Sequence, residues 1–117
     1  MFMIKIWHNP RCSKSRASLE VVENSKQEFE VFKYLNEDTT VEDIKDVLTK
    51  LGISARELMR TKEDLYKELN VKDITDESEL IKIMSENPKL IERPIIIKDD
   101  KAVIGRPIEN TIKLIKD

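Results

Sequence analysis

Met3-Ile4-Lys5-Ile6-Trp7-His8-Asn9-Pro10-Arg11-Cys12-Ser13-Lys14-Ser15-Arg16 is the stretch on which the reading of the fold turns. Four of its first five residues are apolar, Lys5 being the exception, and the run ends in an aromatic ring and is stopped by the turn formers His8-Asn9-Pro10, which predicts a short buried strand. From Ser13 to about Glu23, Ala17, Val21 and Val22 mark an apolar stripe with Arg16, Glu20 and Glu23 opposite, so a helix follows the strand directly. Cys12 falls at the junction. Residues 29–35 then gather Phe29, Val31, Phe32 and Tyr34 after the polar link Ser25-Lys26-Gln27, as a second strand would. The chain therefore opens β-α-β.

The middle is helical. Thr40-Val41-Glu42-Asp43 and Ser54-Ala55-Arg56-Glu57 both fit the capping-box pattern, in which a hydroxyl and a carboxylate three residues on satisfy each other's backbone N–H. After Thr40, a stripe of Val41, Ile44, Val47/Leu48 and Leu51 ends at Gly52. Two further short helices are expected around Leu65/Leu69 and Leu80/Ile81/Met84, with Asp76 and Glu79 as another possible box and Asn87-Pro88 as the stop. Residues 94–98 and 101–104 flank Asp99-Asp100 as an antiparallel hairpin, and Pro107 can start a last helix that buries Ile108, Ile112 and Ile115. The order βαβ, helical insert, ββα describes an α/β chain with a mixed four-stranded sheet. It matches a thioredoxin-like fold with a helical insertion at about 40–88, in one domain spanning 1–117.

Composition narrows the function. The 117 residues carry 21 Lys and Arg against 23 Asp and Glu, and a net charge of -2 supplies no field to gather nucleic acid. The opening Met1-Phe2-Met3-Ile4-Lys5-Ile6-Trp7 is too short for a signal peptide, and no later run reaches the roughly 20 apolar residues of a membrane span. A cytoplasmic protein, monomeric by default, is expected. With one cysteine the chain has no internal disulfide, so any redox chemistry draws its second thiol from outside. One His and one Cys do not supply a zinc site, and no bound cofactor is expected.

At a helix N-terminus, free N–H groups and the macrodipole favour a thiolate over a thiol, so Cys12 should titrate below the usual value of about 8.5. His8, Arg11, Ser13 and Ser15 stand close in sequence as further stabilisers. A lone cysteine is more often a small buried hydrophobe. The flanks Pro10-Arg11 and Ser13-Lys14-Ser15-Arg16 suit an anion better. Low-molecular-weight phosphatase chemistry would need arginine six residues after the cysteine, where Ser18 stands, and Ser15 occupies the place of a resolving cysteine. Monothiol chemistry remains.

Four spaced motifs carry a resemblance that runs almost end to end. Residues 8–16, Leu51-Gly52-Ile53-Ser54-Ala55-Arg56-Glu57-Leu58-Met59-Arg60, Glu92-Arg93-Pro94-Ile95 and Gly105-Arg106-Pro107 together resemble the ArsC family of glutaredoxin-type arsenate reductases, in wording its YfgD-type branch. The resemblance implies thiolate attack by Cys12 on arsenate, glutathione attack on the adduct with a mixed-disulfide stage, help from glutaredoxin, and release of arsenite. It places oxyanion-binding arginines at Arg60, Arg93 and Arg106, a cysteine-activating histidine at His8, a nearby hydroxyl at Ser15, and a cis peptide at Arg93-Pro94. Guanidinium forks suit a tetrahedral oxyanion and offset the repulsion between two anions. Two rival readings stay open. An Spx-like regulator that binds RNA polymerase typically lacks the Gly-Arg-Pro found at 105–107, and a general monothiol oxidoreductase would leave the arginines without a role.

Overall fold

Ile4–Trp7 forms strand β1 in the computed structural model, which describes residues 3–117; Met1 and Phe2, the start of the opening weighed against a signal peptide, lie outside the described residues. Helix α1 follows at Ser13–Asn24 and strand β2 at Phe29–Phe32. β2 is shorter than the apolar run 29–35 because the chain turns immediately after it. The N–H groups of Asn36 and Glu37 donate to the Lys33 carbonyl (2.9 and 3.0 Å), and the Glu37 carboxylate accepts the Lys33 N–H (2.8 Å). Strands β3 (Ile95–Lys98) and β4 (Lys101–Ile104) form the hairpin around Asp99, which takes a φ of 59° to make the turn.

Among the described residues the sheet has four strands in the order β2-β1-β3-β4, with β1 and β2 parallel and the other pairs antiparallel. These directions are those of the expected thioredoxin-like α/β fold. Register follows from burial. Ile4 and Ile6 lie opposite Phe29 and Val31, and Ile6 opposite Ile96, so one face lines up its apolar side chains against Val22 of α1 and Leu114 and Ile115 of α6 (Ile108–Lys116). The other face carries Trp7, whose ring meets Phe32 edge-on at 5.2 Å and stacks on Tyr34 at 6.2 Å. A one-residue slip of β1 would exchange these two sets, which holds the pairing in place.

Two helices bury different residues from those the apolar stripes indicate. α1 fully buries Ser15, Ser18 and Val22 while Ala17 and Val21 are half-buried, Val21 packing on the core, and α6 fully buries Thr111, Leu114 and Ile115 while Ile108 and Ile112 are half-buried. The hydroxyls are buried because they pair. Ser18 Oγ and Thr111 Oγ1 lie 2.8 Å apart between the two helices, satisfying each other where their small side chains let the backbones come close.

Packing divides the chain into two compact units, one running to Glu37 and resuming at Arg93–Asp117, the other Asp38–Glu92. The segment expected as an insertion falls within the second. There α2 (Val41–Leu51) and α3 (Ala55–Leu58) both open with complete capping boxes, at Thr40 with Asp43 and at Ser54 with Glu57, and Gly52 ends α2 in the left-handed conformation. α4 (Asp64–Glu68) and α5 (Glu77–Glu86) follow. Asp76 makes no capping bond, so the box expected with Glu79 does not form, and Pro88 opens a 3-10 turn that continues past α5. Leu69 is 40% exposed, and the buried residue of α4 is Tyr66 instead.

Arg56 explains that exchange. Its guanidinium donates to the Tyr66 hydroxyl and to the carbonyls of Val71 (3.1 Å) and Ile74, tying α4 and the following turn to α3. Arg56→Ala should therefore cost about 2 kcal/mol, the scale of losing hydrogen bonds to a charged donor. Urea unfolding of the two proteins checks the difference.

Candidate active site

Cys12 is the N-cap of α1, with extended backbone (φ -98°, ψ 122°), and it is held in its turn by the Cys12 N–H donating to the Asn9 carbonyl at 3.0 Å. Asn9 Oδ1 also accepts the Arg11 N–H at 3.0 Å, and Arg16 Nη1 donates to the Pro10 carbonyl at 2.9 Å. The 8–12 loop is thus pinned by its own polar groups. Cys12 is buried, with 9% of its surface exposed.

Burial alone pushes the Cys12 thiol up, yet its pKa lies below the ordinary thiol value. The backbone N–H groups of Ser15 and Lys14 favour the thiolate most, although no capping hydrogen bond to Sγ closes in the strict sense. The positive charge of Arg93 and a hydrogen bond from Arg106 add to them. Arg106 Nη2 donates to Cys12 Sγ at 3.4 Å while its Nε donates to the Arg93 carbonyl at 2.8 Å, so one guanidinium bridges thiol and loop. The Gly105 N–H donates to the Pro94 carbonyl at 2.9 Å, joining the same two segments once more. Arg93-Pro94 is cis, as the motif implied, and Arg106-Pro107 is cis as well.

His8 is buried at 5% exposure, and its Nδ1 lies 2.6 Å from Ser15 Oγ, which also accepts the Asn9 N–H at 3.0 Å. Burial, then the charges of Lys33 and Arg16, hold the His8 pKa below its ordinary value, with Glu23 opposing them weakly. His8 is accordingly neutral at pH 7, and its tautomer sets which of Nδ1 and the Ser15 hydroxyl is the donor between them. His8 meets the Ser15 side chain, and the Ser15 N–H favours the Cys12 thiolate. Because the folded pKa is lowered, the stability it links to is fully present above the unfolded value of about 6.5. It is lost as pH falls from there toward the folded pKa. Urea unfolding between pH 5 and 8 should show this loss in wild type and a flatter profile in His8→Asn.

The first unit thus brings Cys12, Arg93 and Arg106 together and joins His8 to Ser15. Arg60 belongs to the second unit. There its backbone N–H donates to the Leu90 carbonyl at 2.7 Å, and its guanidinium lies 3.3 Å from Glu63 and 3.6 Å from Glu92. Three residues around the Arg93–Pro94 and Gly105–Arg106 segments escaped the sequence reading: Gly105 as a spatial requirement, Ser18 and Thr111. A Cβ on Gly105 would stand 2.6 Å from Ser18 Oγ, 2.6 Å from Thr111 Oγ1 and 2.9 Å from Pro94 Cγ. Only the motif Gly-Arg-Pro hinted at it. No group of three or more His, Cys, Asp or Glu suited to hold a metal occurs among the described residues, and no helix there is long and apolar enough to cross a membrane.

A buried thiolate met by an arginine N–H and a second guanidinium charge can attack the central atom of a tetrahedral oxyanion. Known proteins point the same way. The family model described as "ArsC family" matches residues 7–114. YfgD of Escherichia coli K12, described as an uncharacterized protein, is 50% identical over 114 residues, covering 96% of each chain. An arsenate reductase of Neisseria meningitidis serogroup A is 48% identical over 109 residues, 92% of this chain and 93% of the relative. The solved structure of an arsenate reductase from Vibrio cholerae superposes with a TM-score of 0.91 at 43% identity, covering 96% of this chain and 97% of that one. With Cys12, Arg93 and Arg106 gathered on such a scaffold and a match this long, the chain belongs to the ArsC family.

Proposed function

We propose that this protein reduces arsenate to arsenite, with Cys12 as nucleophile and glutathione and glutaredoxin as reductants. The observation that carries the reading is the Arg106 N–H on Cys12 Sγ at 3.4 Å, beside the charge of Arg93. These cations favour the attacking thiolate and offset its repulsion from the arriving oxyanion. In the first step Sγ bonds to arsenic and one arsenate oxygen leaves as water after taking up protons. In the second, the sulfur of glutathione bonds to Cys12 Sγ and arsenic departs with the S–As electron pair, falling from As(V) to As(III). The mixed disulfide left on Cys12 is then reduced by glutaredoxin, which takes the glutathionyl group.

Arg93 and Arg106 bind the oxyanion in this reading. Arg60 is assigned a third contact from the family resemblance, and its engagement by Glu63 and Glu92 would hold its guanidinium in a set direction until substrate competes for it. Ser15 and His8 act as positioning residues for the thiol end of α1. A single thiol serviced by glutathione fits a cytoplasmic monomer with no bound cofactor.

Arsenite production by wild type, with glutathione and glutaredoxin supplied, tests the substrate. Turnover is expected, with Arg60→Ala raising KM for arsenate about tenfold, a loss of about 1.4 kcal/mol. Inactive wild type, folded and with a titratable thiol, would sink the assignment of arsenate.

A further inference from the structure

The first unit holds a cavity of about 260 Å³ that the oxyanion reading leaves unused. One wall is the 8–11 loop and the other is made by Lys33, Leu35 and Asn36. Both walls are rigid: the loop is held by Asn9 and by the Arg16 bond to Pro10, and the far side by the turn closed on the Lys33 carbonyl. The lining contributes two cations, Arg11 and Lys33, and no acidic residue. Leu35, one of three large apolar side chains exposed among the described residues, adds an apolar rim. Lys33 and Arg16 also act as positive charges on the His8 imidazole in the cavity wall, against a smaller opposing effect of Glu23.

The volume lies just under the roughly 300 Å³ at which pockets begin to enclose whole drug-sized ligands, so it suits one arm of a small molecule. Arg11 directly precedes Cys12. A ligand of three residues extends at most about 10 Å, a length on the scale of an arm in the cavity and a sulfur at the residue next to its wall. The chain has one cysteine and must accept an outside thiol.

We infer that the cavity between the 8–11 loop and Lys33 is the subsite for a carboxylate arm of the anionic thiol co-substrate, of the glutathione class, with Lys33 and Arg11 as its counter-charges. This rests on the proposed glutathione-dependent reading, but its test needs no arsenate. The Cys12 thiolate attacks one sulfur of glutathione disulfide, the S–S bond breaks, and a glutathione thiolate leaves to take a proton from water, so mass spectrometry follows one adduct per chain. Bis(2-hydroxyethyl) disulfide runs the same exchange without carboxylates.

Lys33→Glu should slow exchange with glutathione disulfide about tenfold and with the uncharged disulfide less than twofold, and Lys33→Gln should show a smaller loss of the same selectivity. Lys101→Glu, on β4, makes an equal change in net charge away from the cavity and should leave both rates within twofold. Slowing of both disulfides by the Lys33 variants, of neither, or an equal effect from Lys101→Glu would overturn the subsite. Failure of arsenate turnover with selective exchange intact would instead reject the substrate reading alone.

Discussion

Cys12→Ser should yield no arsenite above background, and Arg106→Ala should lower kcat/KM for arsenate by roughly 10²–10³-fold while raising the pKa of the thiol that remains. The first outcome follows because no other residue of the chain can carry the adduct: Cys12 is the single cysteine. The second follows from what one guanidinium does at once. Its Nη2 hydrogen bond favours the thiolate, and its Nε bond to the Arg93 carbonyl keeps it aimed. Losing a preorganised donor at a site of developing charge costs about 10²–10³ in rate. Arg106→Lys keeps the charge without the fork and should recover only part of the loss. The pH dependence of iodoacetamide alkylation, which has one thiol to report, separates the two roles. A midpoint unmoved by Arg106→Ala would show that the arginine serves the oxyanion and not the sulfur.

Gly105→Ala has the largest expected effect on stability. The φ of Gly105 is not left-handed, so the demand is for space: a methyl there would meet three atoms at 2.6, 2.6 and 2.9 Å. Two of them, Ser18 Oγ and Thr111 Oγ1, are bonded to each other at 2.8 Å and are wholly buried, so neither can swing into solvent. Relieving the clash by moving a helix or breaking the pair should cost about 3 kcal/mol, the upper part of the usual range for overpacking. That corresponds to a fall in Tm of roughly 10 °C for a chain of this size. Ser18→Ala alone should cost about 1–2 kcal/mol by leaving the Thr111 hydroxyl unpaired. In the double variant the absent Oγ makes room for the methyl, so the two losses should add to less than their sum, and thermal unfolding of the four proteins measures the coupling. Because Gly105 is bonded to Pro94 and adjoins Arg106, the alanine should also raise the Cys12 pKa.

The two cases show where sequence reading reached and where it stopped. Element types and order were legible because hydrophobic period and capping chemistry are local: Thr40 with Asp43, Ser54 with Glu57 and the stop at Gly52 all formed as read. Cys12 was legible for the same reason, since a cysteine between a strand and a helix meets free N–H groups whatever the rest of the chain does. Arg93, Arg106 and Arg60 were named only through motif resemblance, because nothing local sets three distant arginines apart from the others in so charged a chain.

What the sequence by itself determined is the strand, turn and helix that put Cys12 at an N-terminus, together with the motifs that mark its family. The tertiary structure alone decided which side chains serve that cysteine. It sent His8 to Ser15 in a neutral state, buried Ser18 against Thr111 across 93 positions of chain, and folded Arg106 back onto the sulfur. Those choices depend on desolvation and on distances between segments remote in sequence. A pattern of residue types carries neither until β1, β3 and the two helices have packed.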